Sequence, residues 1–385
     1  MQINVHSVLN PRFMSSSRRL TLISNSVAHK RRHSFIGDSA RWTKFPLTRL
    51  AASLLINVAD DIHGIIRMNV LRQFWYPVAW SHVVADSPVA VRLLDQPLVL
   101  WRANGEVSVF YDLCLHRGAA LSLGWVEQDR LVCPYHGWNY AADGRCVKIP
   151  SLPLEREIPA KARAQAYRVQ ERHGLIWVCL DEPRQDIPEF PPEIDDPSFV
   201  WAPYNSEGQW KANAARMIEN LADFSHFPWV HGGILGDPRQ AECPVIDIME
   251  VKGGFQYEID TPVNRLRPQG ASKQLYTVLL PFTVFIQRRQ PDGNERHTNI
   301  YMCTPVSNNE TKFYRLAGRN YRDAKSDEQL NARHQKIFAQ DKAIVESQRP
   351  WELPLDLAEE LHLRGPDTPA VQYRRRLRQM GIEWL

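Results

Sequence analysis

The sequence predicts an α+β protein in which a small all-β domain precedes a larger domain, where a twisted antiparallel sheet wraps around helices. Three observations carry that expectation. From about 68 to 180, brief β-rich runs alternate with turn dipeptides. Beyond 200 the strand candidates lengthen, notably at 274–290 and 297–306. Two stretches of helical character, 212–227 and 325–349, bracket those long strands.

Taken in order, the first domain (68–180) opens with Phe74-Trp-Tyr-Pro-Val-Ala-Trp80. It continues through Val89-Ala-Val-Arg-Leu-Leu94, Pro97-Leu-Val-Leu-Trp101, Val107-Ser-Val-Phe-Tyr111 and Leu175-Ile-Trp-Val-Cys179. Asp95-Gln96, Asn104-Gly105 and Asp143-Gly144 punctuate these runs as turns. A proline-rich acidic stretch, Asp181-Glu-Pro-Arg-Gln-Asp-Ile-Pro-Glu-Phe-Pro-Pro192, reads as a stiff linker across 181–200. The second domain (201–385) holds the long strands, joined through Pro291-Asp-Gly-Asn294, and a late helix whose start is marked by Ser326-Asp-Glu-Gln329.

Composition bounds the rest. Of 385 residues, 44% are hydrophobic, with 12 Trp and 14 Phe, which suffices for buried cores and excludes a disordered chain. The net charge is +4, yet residues 1–59 alone hold nine Lys/Arg against one acid, Asp38. The remainder is therefore mildly acidic, and a basic tail without a basic face does not read as a nucleic-acid footprint. Residues 1–67 are Ser- and Arg-rich without a domain pattern. They are expected to be a disordered or non-native extension, with an organelle-targeting segment as the alternative. No apolar run is long enough for a transmembrane helix. Of six cysteines, Cys146, Cys179, Cys243 and Cys303 show no pairing pattern and read as free thiols, which fits a reducing compartment such as the cytoplasm.

Cys114, His116, Cys133 and His136 are the most informative residues. They form Cys-x-His, sixteen residues, then Cys-x-x-His, within Cys114-Leu-His-Arg-Gly118 and Cys133-Pro-Tyr-His-Gly-Trp138. Two thiolates and two imidazoles at this spacing suit a [2Fe-2S] cluster in which histidines replace cysteines on one iron, raising its potential. Gly118, Gly124 and Gly137 are expected to let the backbone turn tightly beside a metal. A zinc site would use the same residue types but leaves the flanking sequence without a reason.

A second constellation, Asn220-Leu-Ala-Asp-Phe-Ser-His-Phe-Pro-Trp-Val-His231, places two histidines five apart. Pro228 between them is expected to break the helix and let His231 fold back toward His226. Two histidines and a carboxylate would make a facial triad for non-haem iron(II). Spacing alone leaves the carboxylate open among Asp223, Asp341 and Glu346.

With both motifs in order, the chain resembles the Rieske non-haem iron oxygenases over residues 68–385. The likeness is strongest to the vanillate O-demethylase and phenoxybenzoate dioxygenase type. It extends to the oxygenases of saxitoxin biosynthesis, through Asp223-x-Ser-His-Phe-Pro, His231-x-Gly-Ile-Leu-Gly-Asp237 and Tyr373-Arg-Arg…Met380-Gly-Ile382. The resemblance implies that His226, His231 and Asp341 bind the iron, and that Asp223, with Asn220 in the same motif, serves catalysis. Asp223 would bridge an iron-ligand histidine to His136 of a neighbouring subunit in a homotrimer. It further implies hydroxylation or oxidative demethylation of a small, aromatic or cyclic molecule with O2. Electrons would come ultimately from NAD(P)H through a separate reductase or ferredoxin. A Rieske electron carrier is the competing reading. It accounts for the first motif and not for Asn220–His231.

Overall fold

The computed structural model describes residues 70–382 except 203–205, 262–271, 291 and 324. The expectation for residues 1–67 lies outside these. In the N-terminal half, β1 (Tyr76–Trp80) pairs antiparallel with β10 (Leu175–Cys179), which pairs with β9 (Arg168–Arg172). A second small sheet joins β2 (Val89–Leu93), β3 (Gln96–Ala103) and β4 (Glu106–Tyr111). A third joins β5 (Trp125–Glu127), β6 (Arg130–Val132), β7 (Asn139–Tyr140) and β8 (Cys146–Lys148). The predicted turns at Asp95 and Asn104 are hairpin tips, both in left-handed backbone conformation, where Asp and Asn are tolerated.

The C-terminal half is built on one large antiparallel sheet. It runs from β11 (Val200–Trp201) through β18 (Glu310–Arg319), β17 (Arg296–Ser307), β16 (Thr283–Arg289), β15 (Ser272–Leu279) and β14 (Gly254–Thr261) to β13 (Met249–Val251). β12 (Ser206–Trp210) also pairs with β18. Residues 274–290, which read as one strand, form the hairpin β15–β16. Pro281 has no N–H for a ladder and sits in the turn between them.

Both faces of the sheet are covered. Tyr257, Tyr276, Val284, Tyr301 and Phe313 face helices α1 (Ala214–Leu221) and α3 (Asp327–Val345). Phe285, Ile300, Met302 and Tyr314 of the other face pack on Trp80 and Trp177 of the small domain. Burial on both faces explains why β17 lacks clean polar alternation. The predicted linker is part of this packing: Ile187 is buried and Phe190 lies against Phe285.

Helix prediction was less accurate. The stretch 212–227 divides into α1 and the single turn α2 (Phe227–Val230), with Pro228 in the first turn of α2. Pro228 therefore starts that turn rather than breaking a longer helix, because its missing N–H costs nothing there. Ser326 and Gln329 form the expected capping box of α3. A last helix, α4 (Thr368–Gln379), went unpredicted; its run of Arg374, Arg375, Arg376 and Arg378 obscures the apolar face. Arg374 of α4 is buried with its charge matched: it forks onto Glu219 at 2.7 and 2.9 Å and reaches Glu360 at 2.6 Å. Arg216 joins Glu360 at 2.8 Å. Removing one member of such a network leaves a buried charge unpaired, a cost of about 3–5 kcal/mol.

Candidate metal centres

The first candidate centre lies on two loops with the same hydrogen-bond frame. In one, Gly118 N–H donates to the Cys114 carbonyl and Cys114 N–H to that of Ala119, at 2.9 and 2.7 Å. In the other, Gly137 donates to Cys133 and Cys133 to Trp138, at 3.0 and 2.9 Å. Gly118 and Gly137 close these turns at φ +72° and +66°, where a Cβ would be strained. Gly124 acts differently. Its backbone conformation is ordinary, but a Cβ there would lie 2.0 Å from the Val132 carbonyl oxygen.

The loops bring the imidazoles of His116 and His136 to a centroid separation of 4.6 Å, and Trp138 stacks on His116. Both thiols are buried, and the Tyr140 hydroxyl lies 3.1 Å from Cys114 Sγ. Burial raises the Cys133 thiol, while the N–H groups of Tyr135 and His136 favour its thiolate. Local desolvation and the nearby His136 and Arg117 lower His116, which favours the neutral ring that ligates metal. His136 Nδ1 is buried without a hydrogen-bond partner. Among the described residues, no three of these four donors gather as tightly as one ion requires. That spread disfavours a single zinc and fits a binuclear cluster ligated in pairs.

The second candidate centre is such a trio. Donor atoms of His226, His231 and Asp341 all lie within 4.8 Å of one another. Asp223 holds the turn before α2, accepting from Ser225 N–H and Oγ at 2.8 and 2.6 Å. Its other oxygen meets His226 Nδ1 at 2.9 Å. Gln340 Oε1 meets His231 Nδ1 at 3.1 Å. Each Nδ1 is thus engaged, and each Nε2 faces Asp341 Oδ1, at 3.4 Å from His226 and 2.9 Å from His231. His231 Nε2 and Asp341 Oδ1 are buried without a hydrogen-bond partner, so polar atoms converge on a point where a cation would satisfy them. Burial favours a neutral His226, yet the Asp223 and Asp341 carboxylates outweigh it and raise the ring to about 9. The donor set attracts a cation and fits the facial triad of non-haem iron.

Of the three carboxylates left open by spacing, the structure places Asp341 on the Nε2 side. Asp223 lies on the Nδ1 side, and Glu346 is turned away to accept Lys211 N–H at 2.7 Å. Asn220 contributes a backbone carbonyl to Asp223 N–H at 3.2 Å, and its side chain makes no hydrogen bond among the described residues. Sequence reading missed Gln340 and Tyr140. Their only signal was adjacency to Asp341 and to the Cys-Pro-Tyr-His-Gly-Trp segment.

Fold and sites together define an iron–sulfur oxygenase, and comparison with known proteins agrees. The Rieske [2Fe-2S] domain family matches residues 74–160, and the vanillate O-demethylase oxygenase C-terminal domain family matches 210–383. Methylxanthine N1-demethylase NdmA of Pseudomonas putida is 35% identical over 323 residues, covering 80% of this chain and 89% of the relative. Methylxanthine N3-demethylase NdmB of the same organism is 29% identical, covering 81% and 90%. The solved structure of Pseudomonas putida CBB5 NdmA with caffeine superposes with TM-score 0.74 at 33% identity, covering 81% of this chain and 92% of that one. The chain belongs to the Rieske non-haem iron oxygenases. As such it uses a [2Fe-2S] cluster, a mononuclear non-haem iron, O2 and reductase-supplied electrons, and it hydroxylates or oxidatively demethylates a small organic substrate. No helix among the described residues is long and apolar enough to cross a membrane.

Proposed function

We propose that Cys114, His116, Cys133 and His136 hold the cluster, that His226, His231 and Asp341 hold the iron, and that the reaction is oxidative demethylation of a cyclic substrate. The convergence of two Nε2 atoms and one carboxylate oxygen carries this reading, supported by the N-demethylase names of NdmA and NdmB. When bound, the two centres supply electrons singly and activate oxygen. In such a reaction one oxygen atom enters a methyl C–H bond and the hydroxymethyl product collapses, releasing formaldehyde. The other oxygen leaves as water, with a pair of electrons from the reductase and a pair of protons.

The protein's own contribution is orientation. Asp223 and Gln340 fix the two rings with Nδ1–H outward and Nε2 inward. Burial of His231 and Asp341 excludes bulk water from their inner atoms. Asp223 is 29% exposed and already engages His226. Among the described residues no hydrogen bond joins it to His136 of the same chain. A homotrimer in which it meets His136 of a neighbouring subunit supplies the missing partner. The motif residue Asn220 acts through the turn that positions Asp223. Cys146, Cys179, Cys243 and Cys303, unpaired beside the two proposed cluster thiolates, support a reducing compartment, the cytoplasm in the first instance.

A panel of N- and O-methylated ring compounds, turned over with reductase and O2 and read by mass spectrometry, tests the reaction. Loss of a methyl group with stoichiometric formaldehyde is expected. Gain of oxygen with the methyl group retained makes it a hydroxylase instead.

A further inference from the structure

The junction 222–226 between α1 and α2 carries both Asp223 and His226. On its α2 side Asp223 supplies the hydrogen bonds, its carboxylate accepting from the N–H groups of Ser225 and His226 at 2.8 and 3.2 Å. On its α1 side Ala222 N–H donates to the Ile218 carbonyl at 2.9 Å, and Asp223 N–H to that of Asn220 at 3.2 Å. The Ala222 carbonyl itself is one that a helix end leaves without an intrahelical donor, and Ala222 is buried. Among the described residues no backbone N–H donates to it. The hydroxyl of Tyr257 does.

Tyr257 is seated firmly. It lies on β14 directly opposite Tyr276 of β15, and the two rings stack with centroids 5.0 Å apart and planes 5° from parallel. Phe255, two residues earlier on the same face, stacks on Tyr257 at 6.5 Å. Tyr276 Oη in turn donates to Gln274 Oε1 at 3.0 Å. All three rings are fully buried. Burial, with Tyr276 and Asp223 nearby, pushes the Tyr257 hydroxyl far above the usual tyrosine range, so it stays a donor. A phenol at the end of such a stack ties the Ala222 carbonyl to the sheet. One residue further on, Asp223 meets His226 Nδ1 at 2.9 Å.

Other buried tyrosines also donate to carbonyls, Tyr76 to that of Leu71 at 3.0 Å and Tyr373 to that of Pro281 at 2.9 Å. A buried tyrosine needs some such partner, so the bond alone is ordinary. What sets Tyr257 apart is where its carbonyl stands, next to the residue that orients an iron-side histidine.

We propose that Tyr257 is a positioning residue for the mononuclear centre: its hydroxyl fixes the Ala222 carbonyl and thereby the Asp223 carboxylate that orients His226. Two bonds in series do this, Tyr257 to Ala222 and Asp223 to His226. Loss of the first lets Asp223 shift and the His226 ring tilt. This rests on the triad being the iron site.

The test uses the holoenzyme, with nitric oxide as the probe of the triad iron and chelator competition for its affinity. Tyr257→Phe keeps the stacked ring and removes only the hydroxyl. It is expected to hold the triad iron about tenfold more weakly and to shift the nitrosyl electron-resonance line shape, with the Rieske signal unchanged. Tyr76→Phe removes an equivalent bond elsewhere. It should lower the thermal midpoint while leaving iron affinity and nitrosyl signal at parent values. Tyr276→Leu keeps the Tyr257 hydroxyl but removes its backing ring, and should move both readouts in the same direction as Tyr257→Phe. That variant carries the test if Tyr257→Phe is not recovered folded. Parent affinity and nitrosyl signal in Tyr257→Phe, even with a lower midpoint, would overturn the proposal. Equal shifts in Tyr76→Phe, or none in Tyr276→Leu, would overturn it as well. If Asp341→Ala keeps the nitrosyl signal, the triad reading fails; if Asp341→Ala loses it and Tyr257→Phe matches the parent, only the role of Tyr257 fails.

Discussion

The two metal centres are opposite kinds of construction. The cluster loops occupy one short stretch, 114–138, where each loop repeats the same hydrogen-bonded turn, the first between β4 and β5 and the second between β6 and β7. The triad draws His226 and His231 from one turn and Asp341 from a helix more than a hundred residues later. His116 is exposed and His136 half-buried, whereas His231 and Asp341 are buried. A centre that receives electrons benefits from an accessible edge. A centre that activates oxygen benefits from exclusion of water.

That contrast makes the centres separable. The largest effect is expected from Cys133→Ala, which should abolish activity and visible absorbance while leaving iron at the triad. A normal Rieske electron-resonance signal in that variant would refute the ligand set. Asp223→Asn should keep both centres and their spectra but slow reoxidation of the reduced cluster about 100-fold, since the charge orienting two imidazoles is lost. Stopped-flow reoxidation at the parent rate, or a monomer in solution, would remove the inter-subunit bridge.

Gln340→Leu frees the His231 tautomer, and about a tenfold weaker iron affinity is expected, measured by chelator competition. Unchanged affinity would mean that Gln340 does not orient the ring.

The smallest effect concerns acid stability. His297 is held at about 3 when folded, against 6.5 unfolded, by burial and by Arg315, Arg288, Arg319 and Arg333. The unfolded chain therefore binds more protons between those values. Stability contributed by the neutral ring is full above about pH 6.5 and is lost as pH falls toward 3, by at most about 1.4 kcal/mol per pH unit. His297→Asn should flatten that slope in urea unfolding at pH 7.5 and 5, and an unaltered slope would contradict it.

Legibility followed the same divide. The cluster motif could be read because its chemistry is local: ligand, turn glycine and flanking residues are neighbours in sequence. The two histidines could be read for the same reason. The carboxylate could not be chosen by spacing among Asp223, Asp341 and Glu346, because the choice depends on which face of α3 meets α2. The hairpin at Leu280–Phe282 was missed because strands buried on both faces lose their alternation. Helix α4 was missed because Arg374 is a buried residue whose partners, Glu219 and Glu360, lie far away in sequence.

Iron content per chain tests the separation of the centres most directly. The parent should contain about three irons, two in the cluster and one at the triad. Asp341→Ala should fall to about two with its Rieske spectrum intact, and Glu346→Ala should match the parent. Full iron in Asp341→Ala with loss only in Glu346→Ala, or loss of the cluster spectrum when Asp341 is removed, would contradict the account.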